Sequence, residues 1–226
     1  MLRVLTRVIA DTAVVAIVLF FAAGTVAWPR AWVLLVVLLV VRISSALVVF
    51  RANPALLRER ATVLIHPHQP RIDRLILFVF MATAFLGLPA VAARDAFDWH
   101  VLPSPPLLLA TVGLVLFVLG WAIIAVALRA NPFAVTVVRH QDERQHTVVD
   151  TGIYSIVRHP MYAGNLLVNV GLSLWLGSCI AALLAAVPLA LLMVRIALEE
   201  RFLRRELPGY REYATRVRYR LLPGLW

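Results

Sequence analysis

The sequence predicts an all-α membrane protein: a multi-pass transmembrane helical bundle of five to six spans, with a C-terminal helical hairpin and an interfacial amphipathic tail helix. Three observations carry that expectation. Hydrophobic residues make up 62% of the 226 positions and charged residues 15%, with a mean hydropathy of +0.87, whereas soluble domains run at roughly 45–50% apolar and about 25% charged. Six apolar stretches approach the ~20 residues that a helix needs to cross ~30 Å of hydrocarbon. The arginines fall almost wholly on alternate loops. The same composition excludes a disordered chain, and a single Cys179 with no Gly-X-Y period excludes a disulfide scaffold and a collagen-like fibre.

The spans read, in order, as Thr12–Trp28, Ala31–Phe50, Ile72–Ala93, Leu107–Leu128, Tyr162–Leu176 and Cys179–Leu198. Pro29 and Arg30 turn the first pair into a tight hairpin, and Gly177 and Ser178 do the same for the last pair, whose first arm is short. Arg3 and Arg7 before an apolar run resemble a signal peptide, but the run is too long for one and a second span follows at once, so an uncleaved helix is expected. Asn53-Pro54 offers an N-cap followed by proline at the first helical position, which predicts a short interfacial helix over Pro54–Arg60. The tail from Phe202 to Tyr219 alternates apolar residues with arginines, a pattern suited to an interfacial helix. The chain divides into a four-span region, 1–128, and a C-terminal region, 129–226.

All 22 basic residues are arginine, the formal net charge is +10, and eighteen of the arginines fall on one side of this layout. Only Arg30 and Arg94 fall on the other, with Arg42 and Arg195 inside spans. By the positive-inside rule both termini, the 129–160 loop and the tail are cytoplasmic. Arginine-only usage reflects a GC-rich genome, and a bacterial plasma membrane is the expected location. The basic excess meets the anionic membrane surface, since no nucleic-acid module accompanies it.

Polar residues concentrate in the last hundred positions. Pro160 has no N–H to lose, so the fifth span is expected to start there, its first-turn N–H groups forming an anion site flanked by His159 and Tyr162. At the far end of the hairpin, Arg195 and Glu199 are i, i+4 neighbours, followed by Glu200. The hairpin returns this second cluster to the same membrane face as Arg158–Tyr162, so the two form walls of one site. Singly, each part has a plainer reading as a membrane anchor or a helix-end ion pair. Arg42, about 12 Å inside its span, either faces the bundle or holds an acidic lipid head group. Asn165 and Asn169 form a polar stripe suited to helix–helix contact, or to lining an acceptor site. Gly164 and Gly171 permit a close helix approach.

Arg158-His159-Pro160-Met161-Tyr162-Ala163-Gly164, an apolar hairpin, Glu199-Glu200 and then Pro208-Gly209-Tyr210-Arg211-Glu212-Tyr213 resemble the isoprenylcysteine carboxyl methyltransferase family. Membrane phospholipid methyltransferases share this C-terminal pattern, and the likeness covers about residues 139–223. The resemblance implies an S-adenosylmethionine site built from Gln141, His146, Thr147, Val148, Val149, Tyr154, His159, Pro160, Met161 and Tyr162, with Glu199 or Glu200. It makes Arg195 the substrate-anchoring arginine and, with Glu200, a catalytic candidate; Asn165 and Arg42 are candidate acceptor contacts. The implied reaction is carboxyl O-methylation of an isoprenylcysteine-like or other lipid-like acceptor, with the bilayer as partner and neither metal nor nucleic acid.

Three alternatives stand beside it. A phospholipid N-methyltransferase would need a base, for which Glu199 or Glu200 is available. A sterol-type reductase carries a similar hairpin and histidine-rich turn but uses NADPH. A non-enzymatic transporter or scaffold would place charge near the midplane and show repeated halves, and only Arg42 favours it.

Overall fold

A computed structural model describes residues 1–62, 69–134 and 147–226. The expected sites Gln141 and His146 lie outside the described residues. Ten α-helices follow one another among those described: α1 (Leu2–Ala23), α2 (Pro29–Ala52), α3 (Pro54–Thr62), α4 (Arg71–Ala82), α5 (Leu88–Arg94), α6 (Leu107–Ala130), α7 (Pro160–Trp175), α8 (Cys179–Leu184), α9 (Ala186–Glu206) and α10 (Tyr210–Arg216). Five of the resulting rods are long and apolar enough to cross a membrane: α1, α2, the 29-residue rod Arg71–Trp99, α6, and the α8–α9 rod Cys179–Glu206. Phe21, Phe78 and Leu108 stand exposed on their outer faces, as an integral multi-pass membrane protein requires of side chains that meet lipid.

The first helix starts and ends earlier than the apolar run suggests. It begins at Leu2 and stops at Ala23, because Gly24 takes the left-handed conformation (φ 68°) that terminates a helix cheaply only at glycine. Arg7 is accommodated inside it by an ion pair to Asp11 one turn on, at 2.8 Å. The rod Arg71–Trp99 is interrupted by π turns at Thr83–Gly87 and Asp95–Trp99. Pro89 explains the first of these, since a proline cannot bond back to the carbonyl four residues earlier and the backbone widens ahead of it. The widening has an architectural result: α5 packs on α1, whereas α4 leans onto α9.

Helix α7 has 16 residues, about 24 Å at 1.5 Å per residue. It nevertheless runs the full depth of the bundle. Its last residue, Trp175, donates its indole N–H to the Arg30 carbonyl at the α1–α2 turn (2.7 Å), and Ser178 just beyond donates to Asp95 (2.6 Å). A glycine seam explains how so short an element is held. A Cβ on Gly120 would lie 2.6 Å from the Gly164 carbonyl, and one on Gly113 would lie 2.9 Å from that of Gly171. Small residues thus let the α6 and α7 backbones touch, as in membrane bundles generally.

Two local expectations change. Asn53 does sit before α3, but its side-chain amide reaches across to the Leu128 and Arg129 carbonyls (3.0 and 2.8 Å) and closes the end of α6. The tail is not one helix from Phe202 to Tyr219. Helix α9 continues to Glu206, breaks at Pro208 and Gly209 (φ 81°), and resumes as the short α10. Leu207, Tyr210, Tyr213, Ala214 and Val217 then form a small core of their own.

Candidate active site

Helix α7 opens at Pro160, as expected for a residue whose missing N–H is no loss there. The turn before it is pinned from outside: Arg158 N–H donates to the Tyr219 carbonyl (3.0 Å) and His159 N–H to that of Arg220 (2.8 Å). The anion site expected at this turn is taken up by the chain itself. Tyr162 and Ala163 N–H both bond the His159 carbonyl (3.0 and 3.3 Å), so the turn lacks the fan of free donors that such a site needs.

The two acidic residues that follow Arg195 by one turn separate in role. Glu200 is buried and turned into a nest of cations. It accepts from Arg158 Nε at 2.6 Å and from Arg220 Nε at 3.2 Å, with His159 Nε2 also 3.2 Å away. Arg158 carries the bracing further, its Nη1 donating to the carbonyls of Val217 and of Arg218 (2.9 Å for the latter). Glu200, expected as a catalytic carboxylate, therefore joins the His159 turn to the tail and does not line the cavity. Glu199, about 100° round the helix from it, does. Tyr162 donates its hydroxyl to Glu199 Oε2 at 2.7 Å, and the Tyr162 ring stacks on His159 with centroids 5.6 Å apart.

Arg195 does not rely on Glu199 for its hydrogen bond. Its Nε donates to Asp73 Oδ1 at 2.9 Å, from α4, with both side chains buried, and its guanidinium carbon stands 5.9 Å from the Tyr162 ring centre. Asp73 is held in turn by Gln69 Nε2 at 2.7 Å.

A cavity of about 470 Å³ joins these groups. Thr147, Val148, Val149, Tyr154, His159, Pro160, Met161, Tyr162, Asn165, Arg195, Glu199 and Arg42 all line it. Asn165 bonds back to the Met161 carbonyl (2.8 Å), and Asn169 and Ser173 repeat that pattern along α7, so the stripe satisfies itself within its helix. The cavity also takes in residues that the sequence did not single out as site candidates: Arg60, Asn131, Tyr210, Tyr213 and Asp11. Arg60 donates to the Ala134 carbonyl (2.6 Å), and burial, with Arg195 nearby, lowers its pKa from the ordinary guanidinium value against the opposing pull of Tyr162 and Tyr154. Burial raises Tyr154 well above an ordinary phenol, opposed by a hydrogen bond with Asn131. Tyr213 and Tyr210 are raised by burial as well, and the Tyr213 hydroxyl donates to the Tyr154 carbonyl (2.8 Å). Tyr210 and Tyr213 stood in the tail motif, whereas for Arg60 and Asn131 the clue was position, near the ends of the two helices that Asn53 ties together.

The cavity changes character along its length. Beyond Tyr162 its walls are Leu77, Phe80, Met81 and Phe85 of the third rod, Leu192 of α9, and Val8 and Val15 of α1. A polar chamber at the arginine-rich end thus opens into a mostly apolar passage between α1 and α4, interrupted on the α1–α2 side by Arg7, Asp11 and Arg42.

Residues 108–208 match the phospholipid methyltransferase family model. No curated protein matches the chain at a significant level. The whole fold is similar to a solved structure of the eukaryotic intramembrane Ras methyltransferase, isoprenylcysteine carboxyl methyltransferase, with a TM-score of 0.55 and 23% identity over 94% of this chain and 73% of that one. The second half of the chain therefore carries a phospholipid methyltransferase pattern on the fold of an intramembrane methyltransferase. The family match spans α6, the His159 turn, α7 and Arg195–Glu200, which form much of the polar chamber; Arg60 of α3 and Tyr210 and Tyr213 of α10 complete it from outside the match.

Proposed function

We propose that the chain is an S-adenosylmethionine-dependent methyltransferase that acts at the membrane on a hydrophobic, lipid-like acceptor, by carboxyl O-methylation of an isoprenylcysteine-like group. The observation that carries this reading is the continuity of one cavity, polar where the family pattern lies and mostly apolar, with the Arg7–Asp11–Arg42 cluster on its wall, where it meets the bundle interior. The polar chamber fits the cofactor. Glu199 offers a carboxylate to a sulfonium, Tyr154 and Tyr162 offer aromatic faces, and the Thr147–Val149 strip offers backbone groups at the wall. The bound cofactor would supply an electrophilic methyl group, and a carboxylate oxygen forms its bond to that carbon as the carbon–sulfur bond breaks, with no proton to move.

The residues' part in this is alignment, the largest contribution an enzyme can make to an in-line displacement. Arg195, its orientation fixed by Asp73, presents a guanidinium to the acceptor carboxylate. The apolar passage keeps water scarce around two opposite charges that cancel towards the transition state. Glu200, bonded to Arg158, holds the His159 turn in place from outside the cavity lining. The cytoplasmic placement of the chamber rests on the arginine asymmetry and agrees with a cofactor delivered from the cytosol.

The family match favours a second acceptor class, a phospholipid amine. There Glu199, the carboxylate on the cavity wall, would take the proton that an ammonium must lose before attack.

The test is calorimetric binding of S-adenosylmethionine to the detergent-purified protein beside Glu199→Gln and Tyr162→Phe, followed by labelled methyl transfer to farnesylcysteine and to phosphatidylethanolamine. Micromolar binding that both variants weaken, with label on one acceptor, supports the reading and chooses the acceptor. A folded protein that ignores this cofactor and binds NADPH would falsify it in favour of a reductase.

A further inference from the structure

A second polar cluster lines the same cavity, on α1, α2 and α6 instead of α7 and α9. Asp11 Oδ2 accepts from Arg42 Nη2 at 2.7 Å while its Oδ1 accepts from Arg7 Nε at 2.8 Å. The Arg42 guanidinium carbon stands 5.6 Å from the centre of the Trp121 ring. Arg42 lies ten residues before the end of α2, about 15 Å in from the arginine-rich end at 1.5 Å per residue.

Two features of the cluster are unbalanced. It holds two guanidinia and one carboxylate, hence a net positive charge, and its Arg42 lies at a depth where charge is costly and marks a ligand path by default. The Trp121 indole Nε1 is buried and has no hydrogen-bond partner among the described residues, although a buried indole N–H ordinarily finds one. Both imbalances call for the same partner, an oxyanion acceptor. The surrounding wall, with Val14, Val15, Ala46, Val49 and Ile124, is apolar, so the oxyanion must belong to a molecule with hydrocarbon chains.

We propose that Arg42 and Trp121, with Arg7 and Asp11 behind them, form a subsite for the oxyanion of a lipid, a phosphodiester or carboxylate that enters the cavity with its chains along the apolar wall. Asp11 orients both guanidinia so that the site is formed before the lipid arrives. In relation to the proposed methyl transfer, on which this sense of the subsite rests, the oxyanion belongs either to the acceptor itself, apart from the group methylated, or to a bilayer phospholipid bound beside it.

Native mass spectrometry of the full chain in detergent tests the subsite without any cofactor, so its failure and that of the methyltransferase reading are separate results. The probes are phosphatidylglycerol and a zwitterionic phosphatidylcholine of equal chain length. Wild-type protein is expected to retain the anionic lipid about tenfold better, the scale of one charge-assisted hydrogen bond, and Arg42→Gln to lose that preference. Trp121→Phe keeps an aromatic ring but loses the pyrrole half of the indole with its N–H, so it should fold, as a melting curve would check, and still weaken anionic-lipid binding several-fold. Variants that bind both lipids as wild type does overturn the subsite. The source follows from methylation kinetics: a KM raised in Arg42→Gln for phosphodiester-bearing acceptors alone assigns the oxyanion to the acceptor, and an unchanged KM with lost lipid retention assigns it to a bilayer phospholipid.

Discussion

Asp73 and Arg195, 122 residues apart in sequence, are bonded at 2.9 Å with both side chains buried. The pair ties α4 to α9 at the mouth of the apolar passage and fixes which way the Arg195 guanidinium points into the cavity. A buried charge keeps its place only if its partner stays.

Asp73→Asn keeps the shape of that contact and removes its charge. The expected outcome is a KM for a carboxylate acceptor raised about tenfold or more, with the affinity for S-adenosylmethionine little changed, since Asp73 braces Arg195 and does not line the cavity. Asp73→Ala should also cost about 3 kcal/mol of stability by taking the Asp73 carboxylate away from a buried guanidinium. Steady-state kinetics beside calorimetry would check both, and a variant that lost cofactor affinity as severely as acceptor affinity would count against the bracing role.

Glu199 and Glu200 should respond oppositely. Glu200→Gln abandons Arg158 and His159 in a buried site, so thermal unfolding is expected to show a loss of about 3 kcal/mol or more. Glu199→Gln should leave the melting profile near wild type and lower cofactor affinity instead, because its carboxylate faces the cavity with Tyr162. Equal melting losses in the two variants would show that the separation of roles is mistaken.

The glycine seam makes a steric prediction. Gly120→Ala sets a methyl 2.6 Å from the Gly164 carbonyl, where backbone and not a flexible side chain must yield. A loss of about 1–3 kcal/mol is expected, along with reduced activity, since α7 carries the His159 turn. Gly152→Ala meets no neighbour within 4 Å but takes a positive φ of 59°, so its cost of about 1 kcal/mol should come from backbone strain alone.

Tyr154, Tyr210 and Tyr213 hold their protons more tightly folded than unfolded, chiefly through burial. For an acid whose folded pKa is raised, the stabilisation is complete below the unfolded value of 10.0 and is lost as pH rises above it. Melting temperature should therefore be insensitive to these groups at neutral pH and fall beyond about pH 10. Tyr154→Phe is expected to flatten that fall, as a pH series of melting curves would show.

Much of the fold was legible because hydropathy over twenty-residue windows needs no tertiary information, and Pro160 marked the start of α7 by backbone chemistry alone. The end of α1 was less legible, because apolar residues continue past Gly24 and only the left-handed turn stops the helix. For the site, the order Arg158 to Tyr162 and then Arg195 to Glu200 located the chamber. Sequence spacing could not tell Glu199 from Glu200, since adjacent helical residues point about 100° apart and the choice depends on where the tail arginines arrive. Asp73, Arg60 and Asp11 stayed invisible for a related reason. Each stands among other charges of its own segment, and becomes part of a site only when a distant element delivers its partner: Arg195 to Asp73, Arg42 to Asp11 and the Ala134 carbonyl to Arg60.

The pinning of the His159 turn by the carbonyls of Tyr219 and Arg220 has a consequence for biosynthesis. A nascent chain can thread every membrane helix into the bilayer and still lack the clamp that shapes the wall of its polar chamber. The polar chamber is completed about sixty residues after its central motif has been made, as the last step of assembly. Chains interrupted in the tail should accumulate as inserted, helical and silent precursors.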